Sequence, residues 1–464
     1  MRFFLIVALA CAMHSYGAEN TPPNVVLIFA DDLGYCDTEL YGCDMVPTPN
    51  INRLANEGVL FTDGYVSSPV CSPSRAGLLT GRSQQRFGHE FLPNLRGESN
   101  EGLPVDEVTL ADAMKDAGYA TGMVGKWHLG TAMEFHPVNR GFDEFFGFFG
   151  GATTYIDPTR DDVKGTRPPR LTPSGEWVGR DSLQRGTKTV QEDEYITDAF
   201  TREAVAFIEK HKERPFFLYL PHLAPHQPLQ ATMKYYDRFP NIKDEETRIY
   251  AAMTSALDDG IGVLLDTLAK HGLEENTLVI FTSDNGAGNA DYCNNDPLRL
   301  GKQTMYEGGV RVPFAMKWPG RIPQGTTYKH PISTLDVFPT TIAAVGGKLP
   351  EGKAMDGVNL LPYLNGSNSI KPHDKLFWRA GNIWATRDGD WKLIFAANRY
   401  WLYDLSKDIG EKTNLAAKRP DIVAQLTASW EQWNSGNIDP LWPSYAAKGM
   451  DSFAVDGVPI NWTF

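Results

Sequence analysis

Cysteine is scarce in this chain, with five in 464 residues, too few and too spread out for a disulfide scaffold. Beyond the N-terminal leader, no stretch reaches the roughly 18 apolar residues that a membrane-crossing helix needs. Runs of Lys or Arg are absent and the net charge is −13, which argues against nucleic acid as the natural partner. The 43 Gly and 31 Pro follow no period, excluding collagen-like repeats. Apolar material is not lacking. With 42% hydrophobic and 11% aromatic residues, the chain can bury a sizeable core and is not a disordered one. Its length suits two to four domains, or one large domain with an appendage. The acidity leaves room for a small anionic substrate, because a local cationic pocket can exist inside an acidic whole.

The first residues, MRFFLIVALACAMHSYGAEN, carry one Arg, an apolar run and then small residues. This is the three-part layout of a secretory signal, with a run too short for a mature membrane helix. Residues 1–17 are expected to be removed on export to a periplasmic or extracellular space. Lipoprotein anchoring through Cys11 is the lesser alternative, because Ala8 sits where a larger aliphatic residue is usual. The mature chain keeps Cys36, Cys43, Cys71 and Cys293, and the spacing leaves a Cys36–Cys43 pairing open.

Short β-branched and aromatic runs at 25–30, 120–125, 215–220 and 278–282 alternate with helical patterns at 106–118, 195–211 and 244–271. Such alternation predicts an α/β fold, a large and mostly parallel sheet covered by helices. Residues 157–193, rich in Pro, Gly, Arg and Asp, read as a long irregular insertion of the kind that forms functional rims. After residue 365 the texture changes. TRDGDWKLIF places Asp388-Gly389 in a hairpin turn, RYWLYDL reads as a further strand, and a last helix spans 420–434. Residues 18–365 are expected to form the main domain, and 366–464 a smaller α+β domain with an antiparallel sheet.

NVVLIFADDLG puts Asp31 and Asp32 at the carboxyl end of the first buried strand, and TLVIFTSDNG does the same with Asp284 and Asn285. Ligand sites in α/β sheets gather outside these strand ends. Three carboxylates brought together would repel one another unless a hard divalent cation, calcium before magnesium, used their oxygens as ligands. Alternatively each pair is a cap or a turn, but two matched strand ends favour the metal. Asp258-Asp259, within a helical pattern, reads as a solvated or salt-bridged face. In SSPVCSPSRAGLLTGR, Pro73 suits the first turn of a helix. That would place Cys71 at a helix N-terminus, where free N–H groups favour anions and thiolate, with Arg75 one turn on. A bare Cys71 is either a nucleophile or a quiet buried cysteine.

CSPSR followed by GLLTGR resembles the signature of the formylglycine-dependent sulfatases, in which a separate maturation enzyme oxidises the cysteine of C-x-P-x-R to formylglycine. The resemblance spans roughly residues 23 to 420 and includes ADDLG, GKWHLG, APHQP, SDNG and GKQTMYEGGVRVP in the family's order. It implies an alkaline-phosphatase-like fold. It also implies calcium ligation by Asp31, Asp32, Asp284, Asn285 and an oxygen of modified Cys71. Arg75 resembles the residue that holds the hydrated aldehyde. Lys126 and Lys302 resemble the sulfate-contacting lysines, and His128 the histidine that helps reform the aldehyde. His226 resembles the histidine that protonates the leaving oxygen, and Asp284 is a possible proton acceptor. His222 is read as structural.

A sulfate ester is an anion, so attack on it requires cations that stabilise transition-state charge, and histidine suits proton transfer near neutrality. Arg86, His89, Glu90, Arg160, Arg299, Tyr155 and Tyr292 are candidate rim contacts, although ordinary loop solvation accounts for any one of them. Export and the long insertion favour a sulfated carbohydrate, such as an algal galactan or a glycosaminoglycan. Three alternatives remain: a phosphonate or phosphodiester hydrolase on the same scaffold, a non-catalytic binder of sulfated glycans, and a thiol enzyme using unmodified Cys71.

Overall fold

The computed structural model describes residues 21–94, 99–166, 183–444 and 452–461. The leader with Cys11, and the middle of the 157–193 insertion, lie outside the described residues. A ten-stranded sheet organises the chain. Its order is Thr326–Tyr328, Val59–Phe61, Phe314–Lys317, Thr277–Ser283, Asn24–Ala30, Phe216–Pro221, Ala120–Lys126, Glu144–Phe148, Leu183–Arg185 and Lys188–Val190. The five strands from Thr277–Ser283 to Glu144–Phe148 run parallel, and Phe314–Lys317 runs antiparallel beside them. All four strands expected from the sequence are present, three of them extended by one or two residues and the fourth shifted by one to Phe216–Pro221.

The central strand shows why the sheet is covered on both faces. Val26, Ile28 and Ala30 point into one core, packed with the helices Ile196–His211 and Glu245–Lys270. Val25, Leu27 and Phe29 point into the other, with Cys71–Thr80 and Leu110–Asp116. Side chains two apart share a face, so a continuous apolar run fills both cores at once. The helix expected at 106–118 is shorter than predicted. It starts only after Thr109, which forms a reciprocal capping box with Asp112.

A second sheet of four antiparallel strands follows, comprising Lys375–Ala380, Ile383–Asp388, Trp391–Ala396 and Arg399–Asp404. One face packs under the helix Pro420–Asn434, with Trp384 stacked on Trp430 at 4.4 Å. The other face shares a core with Val70, Cys71, Met305 and Tyr306.

Three expectations need correction. The insertion is not wholly irregular, since Val163–Gly165 pairs with Gln230–Thr232 and two short strands extend the main sheet. The hairpin turn falls at Gly389-Asp390, because Asp388 still pairs with Trp391. Asp258 is not on a solvated face. It is 2% exposed and accepts the Asn50 and Ile51 backbone N–H groups and the Asn50 amide, serving the first turn of the helix Pro49–Asn56. Asp259 does form the expected salt bridge, with Arg238 at 2.7 Å. Cys36 and Cys43 form a disulfide.

Candidate active site

The parallel strands bring the motifs to one edge. Asp31 and Asp32 follow Ala30, Asp284 and Asn285 follow Ser283, Lys126 ends its strand with His128 just beyond, and His226 follows Pro221. Because Asn24–Ala30 lies between Thr277–Ser283 and Phe216–Pro221 in register, these carboxyl ends meet in one crevice. Cys71 is the first residue of the helix Cys71–Thr80, and all ten helix residues are buried.

Arg75, one turn after Cys71, is wholly buried. It donates to Asp284 Oδ2 at 2.7 and 3.2 Å and to the Lys126 carbonyl at 3.1 Å, and lies 3.3 Å from Asp31 Oδ2. Lys126 Nζ meets Asp31 at 2.5 Å, and Lys302 Nζ meets Asp32 at 2.6 and 2.9 Å. Asn285 donates its amide to Asp32 at 2.7 Å. Three carboxylates thus face three cations, the pairing that buried charges require.

Two oxygens stand apart. Asp31 Oδ1 and Asn285 Oδ1 are buried without any hydrogen-bond partner. Buried polar atoms rarely remain so, and a carboxylate and an amide oxygen are the donor set of a hard cation. Ligand atoms of Asp31, Asp32 and His226 also lie within 4.8 Å of one another.

Electrostatics separate the groups. Burial and then the charge of Asp31 push the Asp284 carboxyl up to about 6, despite Arg75 beside it. Burial works the same way on Asp32, but Lys302 and His226 outweigh it and hold that carboxyl below the usual range. The Cys71 thiol is pushed up by burial, with Lys126 and Lys302 pulling the other way. An unmodified Cys71 is therefore a poor thiolate. Burial lowers His226 to about 3 and takes His128 well below its ordinary value, with Lys126 and Arg75 adding to the latter.

His226 donates from Nδ1 to the Gln227 carbonyl at 2.5 Å, which turns Nε2 toward Asp32, 3.6 Å away. Tyr155 donates to the His226 carbonyl at 2.8 Å, and Gln227 donates to the Tyr292 hydroxyl at 2.5 Å. Both tyrosines, expected at the rim, instead brace the His226 segment. Four other rim candidates are likewise engaged. Arg86 clasps Asp356, Glu90 accepts from Arg379, Arg299 reaches the Glu411 carbonyl, and His89 is buried against Ser72. Arg160 stays at the surface, paired with Asp162. His222, read as structural, is fully buried beside Phe200 with neither ring nitrogen bonded.

Some supporting features gave no sequence signal. Asp32 and His128 both adopt left-handed backbone, φ 62° and 59°, which is uncommon for such residues and gathers at functional sites. Gly288 lets its loop approach Asp32, since a Cβ there would lie 2.7 Å from Oδ2. Asp37, wholly buried, ties the Asp31–Asp32 loop down by accepting from the Gly34 and Asn294 backbone and the Tyr250 hydroxyl.

The family model described as Sulfatase matches residues 23–347, and that described as N-sulphoglucosamine sulphohydrolase, C-terminal, matches 299–435. N-acetylgalactosamine-6-sulfatase of Canis lupus familiaris is 35% identical over 411 residues, covering 84% of this chain and 75% of that protein. Arylsulfatase A of Homo sapiens is 35% identical over 502 residues, covering 96% and 94%. The crystal structure of Ps i-CgsB in complex with k-i-k-neocarrahexaose aligns with a TM-score of 0.84 at 36% identity, over 92% of this chain and 96% of that one. With likeness on this scale in sequence and in fold, the chain belongs to the sulfatase family and is a sulfuric ester hydrolase of alkaline-phosphatase-like fold.

Proposed function

We propose that the protein cleaves sulfate monoesters on a sulfated carbohydrate, using a formylglycine made from Cys71 by a separate maturation enzyme and a bound calcium ion. The ion would be held by Asp31, Asp32, Asp284, Asn285 and an oxygen of residue 71. One observation carries this reading. The buried, unpartnered Asp31 Oδ1 and Asn285 Oδ1 lie where three carboxylates and three cations converge around residue 71. When bound, the ion adds positive charge to a set that otherwise balances, and the hydrated aldehyde supplies a hydroxyl nucleophile that the thiol does not.

The side chains divide the remaining work. Arg75 fixes residue 71 from one helical turn away and neutralises Asp284. Lys126 and Lys302 face the sulfate oxygens and stabilise the charge that grows on them. Asp284, whose carboxyl burial and then Asp31 raise to about 6, accepts the proton of the attacking hydroxyl. His226 gives a proton to the leaving sugar oxygen from Nε2. Burial disfavours that proton, and the charge of an anionic substrate favours it. His128 takes a proton in the second stage, when sulfate is expelled.

Two relatives point to a carbohydrate. One is named for a sulfated N-acetylgalactosamine and another is described with a bound neocarrahexaose. Residues 1–17 would direct export, 18–365 form the catalytic domain and 366–464 the smaller one. No helix among the described residues is long and apolar enough to cross a membrane. A phosphonate or phosphodiester hydrolase would release an alcohol with a phosphonate or a phosphate monoester and no sulfate, and a non-catalytic binder has no use for Cys71 or His226.

The test is ion chromatography of the sulfate released from sulfated galactans, glycosaminoglycans and an aryl sulfate, and of the phosphate monoester released from a phosphodiester. The protein is co-expressed with a maturation enzyme, with Cys71→Ala as control. Sulfate release from one glycan, absent in the control, is expected. No sulfate from any of them, despite formylglycine at position 71, would overturn the reading.

A further inference from the structure

Two cavities flank the edge strand Lys375–Ala380 of the C-terminal sheet, and none of the catalytic constellation lines either one. They share His373, Lys375 and Leu376 in their walls and so adjoin one another as one candidate groove. The first, of about 160 Å³, is walled by Phe377 and Trp433, whose rings stack at 5.2 Å and 9°. Ser67, Ser83 and Ser333 also line it, and Ser67 Oγ is buried without a partner in a residue only 6% exposed. The second, of about 210 Å³, is lined by Lys329, His330, Lys371, His373, Lys375 and Arg387.

The acidic groups facing this groove leave several of its cations available. Asp356 is taken up by Arg86 at 2.6 Å, and Asp336 and Asp63 hold His373 and Arg387 from behind. Among the described residues Lys371 meets only Asp374, which is 84% exposed, at 3.4 Å, whereas Lys375 donates to Ser429 at 2.8 Å and meets Asp388 at 3.5 Å. Exposed pairs of this kind are worth little, so an incoming anion can replace them. Asp390 lines the groove as well, and Lys329 has no ion pair among the described residues. In a chain of net charge −13, a polyanion is repelled by most of the surface and held where cations gather.

Aromatic walls suit the apolar face of a sugar ring, and lysines suit sulfate. We propose that this groove binds a sulfated sugar unit of the polymer whose ester is cleaved at residue 71, holding the chain at a second point. This rests on the sulfated-carbohydrate reading above. Two contacts on one polymer raise its effective concentration at the catalytic crevice without any new catalytic group.

The experiment is affinity electrophoresis of the full chain carrying Cys71→Ala, which removes the nucleophile. The native gels contain a sulfated galactan, a phosphate polymer or unsulfated agarose. The sulfated galactan is expected to retard the protein, and Lys329→Glu with Lys371→Glu to weaken that retention by at least about tenfold. Trp433→Ala, which leaves the cations in place, is expected to weaken it by a smaller factor. In matured protein the lysine variant should keep kcat/KM on a small aryl sulfate while losing it on the polymer. Undiminished retention of both variants, retention as strong in the phosphate polymer, or no retention by any sulfated polymer would overturn the proposal. If matured wild type releases no sulfate from any ester, the functional reading fails, while the gels still decide whether the groove binds.

Discussion

Ser72 Oγ donates a 2.7 Å hydrogen bond to the carbonyl of His128 and lies 2.8 Å from His89 Nε2. A hydroxyl has one proton, and here the His128 carbonyl takes it. His89, which burial drives down to about 3 and so keeps neutral, completes the link through Nε2. The carbonyl so held belongs to a residue in left-handed backbone, φ 59°, a conformation that persists only where neighbours over-determine it. Ser72 adjoins residue 71, so this bond sets the spacing between the nucleophile and His128.

Breaking that link should slow turnover. His89→Leu is expected to lower kcat by about tenfold to a hundredfold, the scale of a displacement of about 1 Å in a catalytic group. His89→Gln keeps an N–H at the same reach and should retain most of the rate. Turnover of an aryl sulfate, normalised to formylglycine content by mass spectrometry, checks this. A burst of one alcohol per site before slow turnover in His89→Leu would place the defect in the second stage, which His128 serves.

Calcium removal should abolish activity and lower stability together. Asp31, Asp32 and Asp284 repel one another, and an ion bound only by the folded state stabilises it by about 2.7 kcal/mol at a hundred times its Kd. Thermal unfolding is expected to shift upward as calcium is added back after chelation. Asp284→Ala should blunt that shift.

The protein should also lose one contribution to stability as pH rises. Burial alone would lower the pKa of His373, but Asp336, 2.8 and 2.9 Å from Nε2, outweighs it and holds the imidazolium above its ordinary range. A raised folded-state value contributes stability fully below the unfolded pKa near 6.5 and loses it as pH passes the folded value. His373→Gln should therefore cost on the order of 1 kcal/mol more near pH 5.5 than near pH 9. Chemical denaturation at the two pH values measures the difference.

Lys392 ties the C-terminal sheet to the helix Glu307–Val310. Wholly buried, it meets Glu307 at 2.8 Å and Glu411 at 3.1 Å, both also fully buried. Lys392→Met strands Glu411, while Glu307 keeps Arg311 at 3.3 Å and Tyr65 at 2.6 Å. The substitution should cost roughly 3–5 kcal/mol. Adding Glu411→Gln should recover part of that loss, because the uncompensated charge is removed. Denaturant midpoints of the single and double variants test this coupling.

The carboxyl-end residues are legible in the sequence because Asp31, Asp32, Asp284 and Asn285 each follow a continuous apolar run, the mark of a buried parallel strand. Cys71 and Arg75 are legible because one helical turn separates them. What escapes is set by distant contacts. His89 and Glu90 look like loop polars, yet Trp442 packs edge-on to His89 at 4.9 Å and Arg379 reaches Glu90 from the C-terminal sheet. Asp258 looks like a solvated helix face because the helix it serves begins 208 residues earlier. Left-handed Asp32 and His128 leave no trace in composition, since neither residue type requires that conformation.

The most direct test of the account is the dependence of sulfate release on the fraction of residue 71 present as formylglycine. Preparations made with increasing maturation enzyme would be assayed on the best glycan and on an aryl sulfate, with conversion quantified by mass spectrometry. Activity proportional to conversion, falling to zero with unmodified cysteine, is the predicted result. Equal activity at every degree of conversion would contradict it and return the chemistry to the thiol of Cys71.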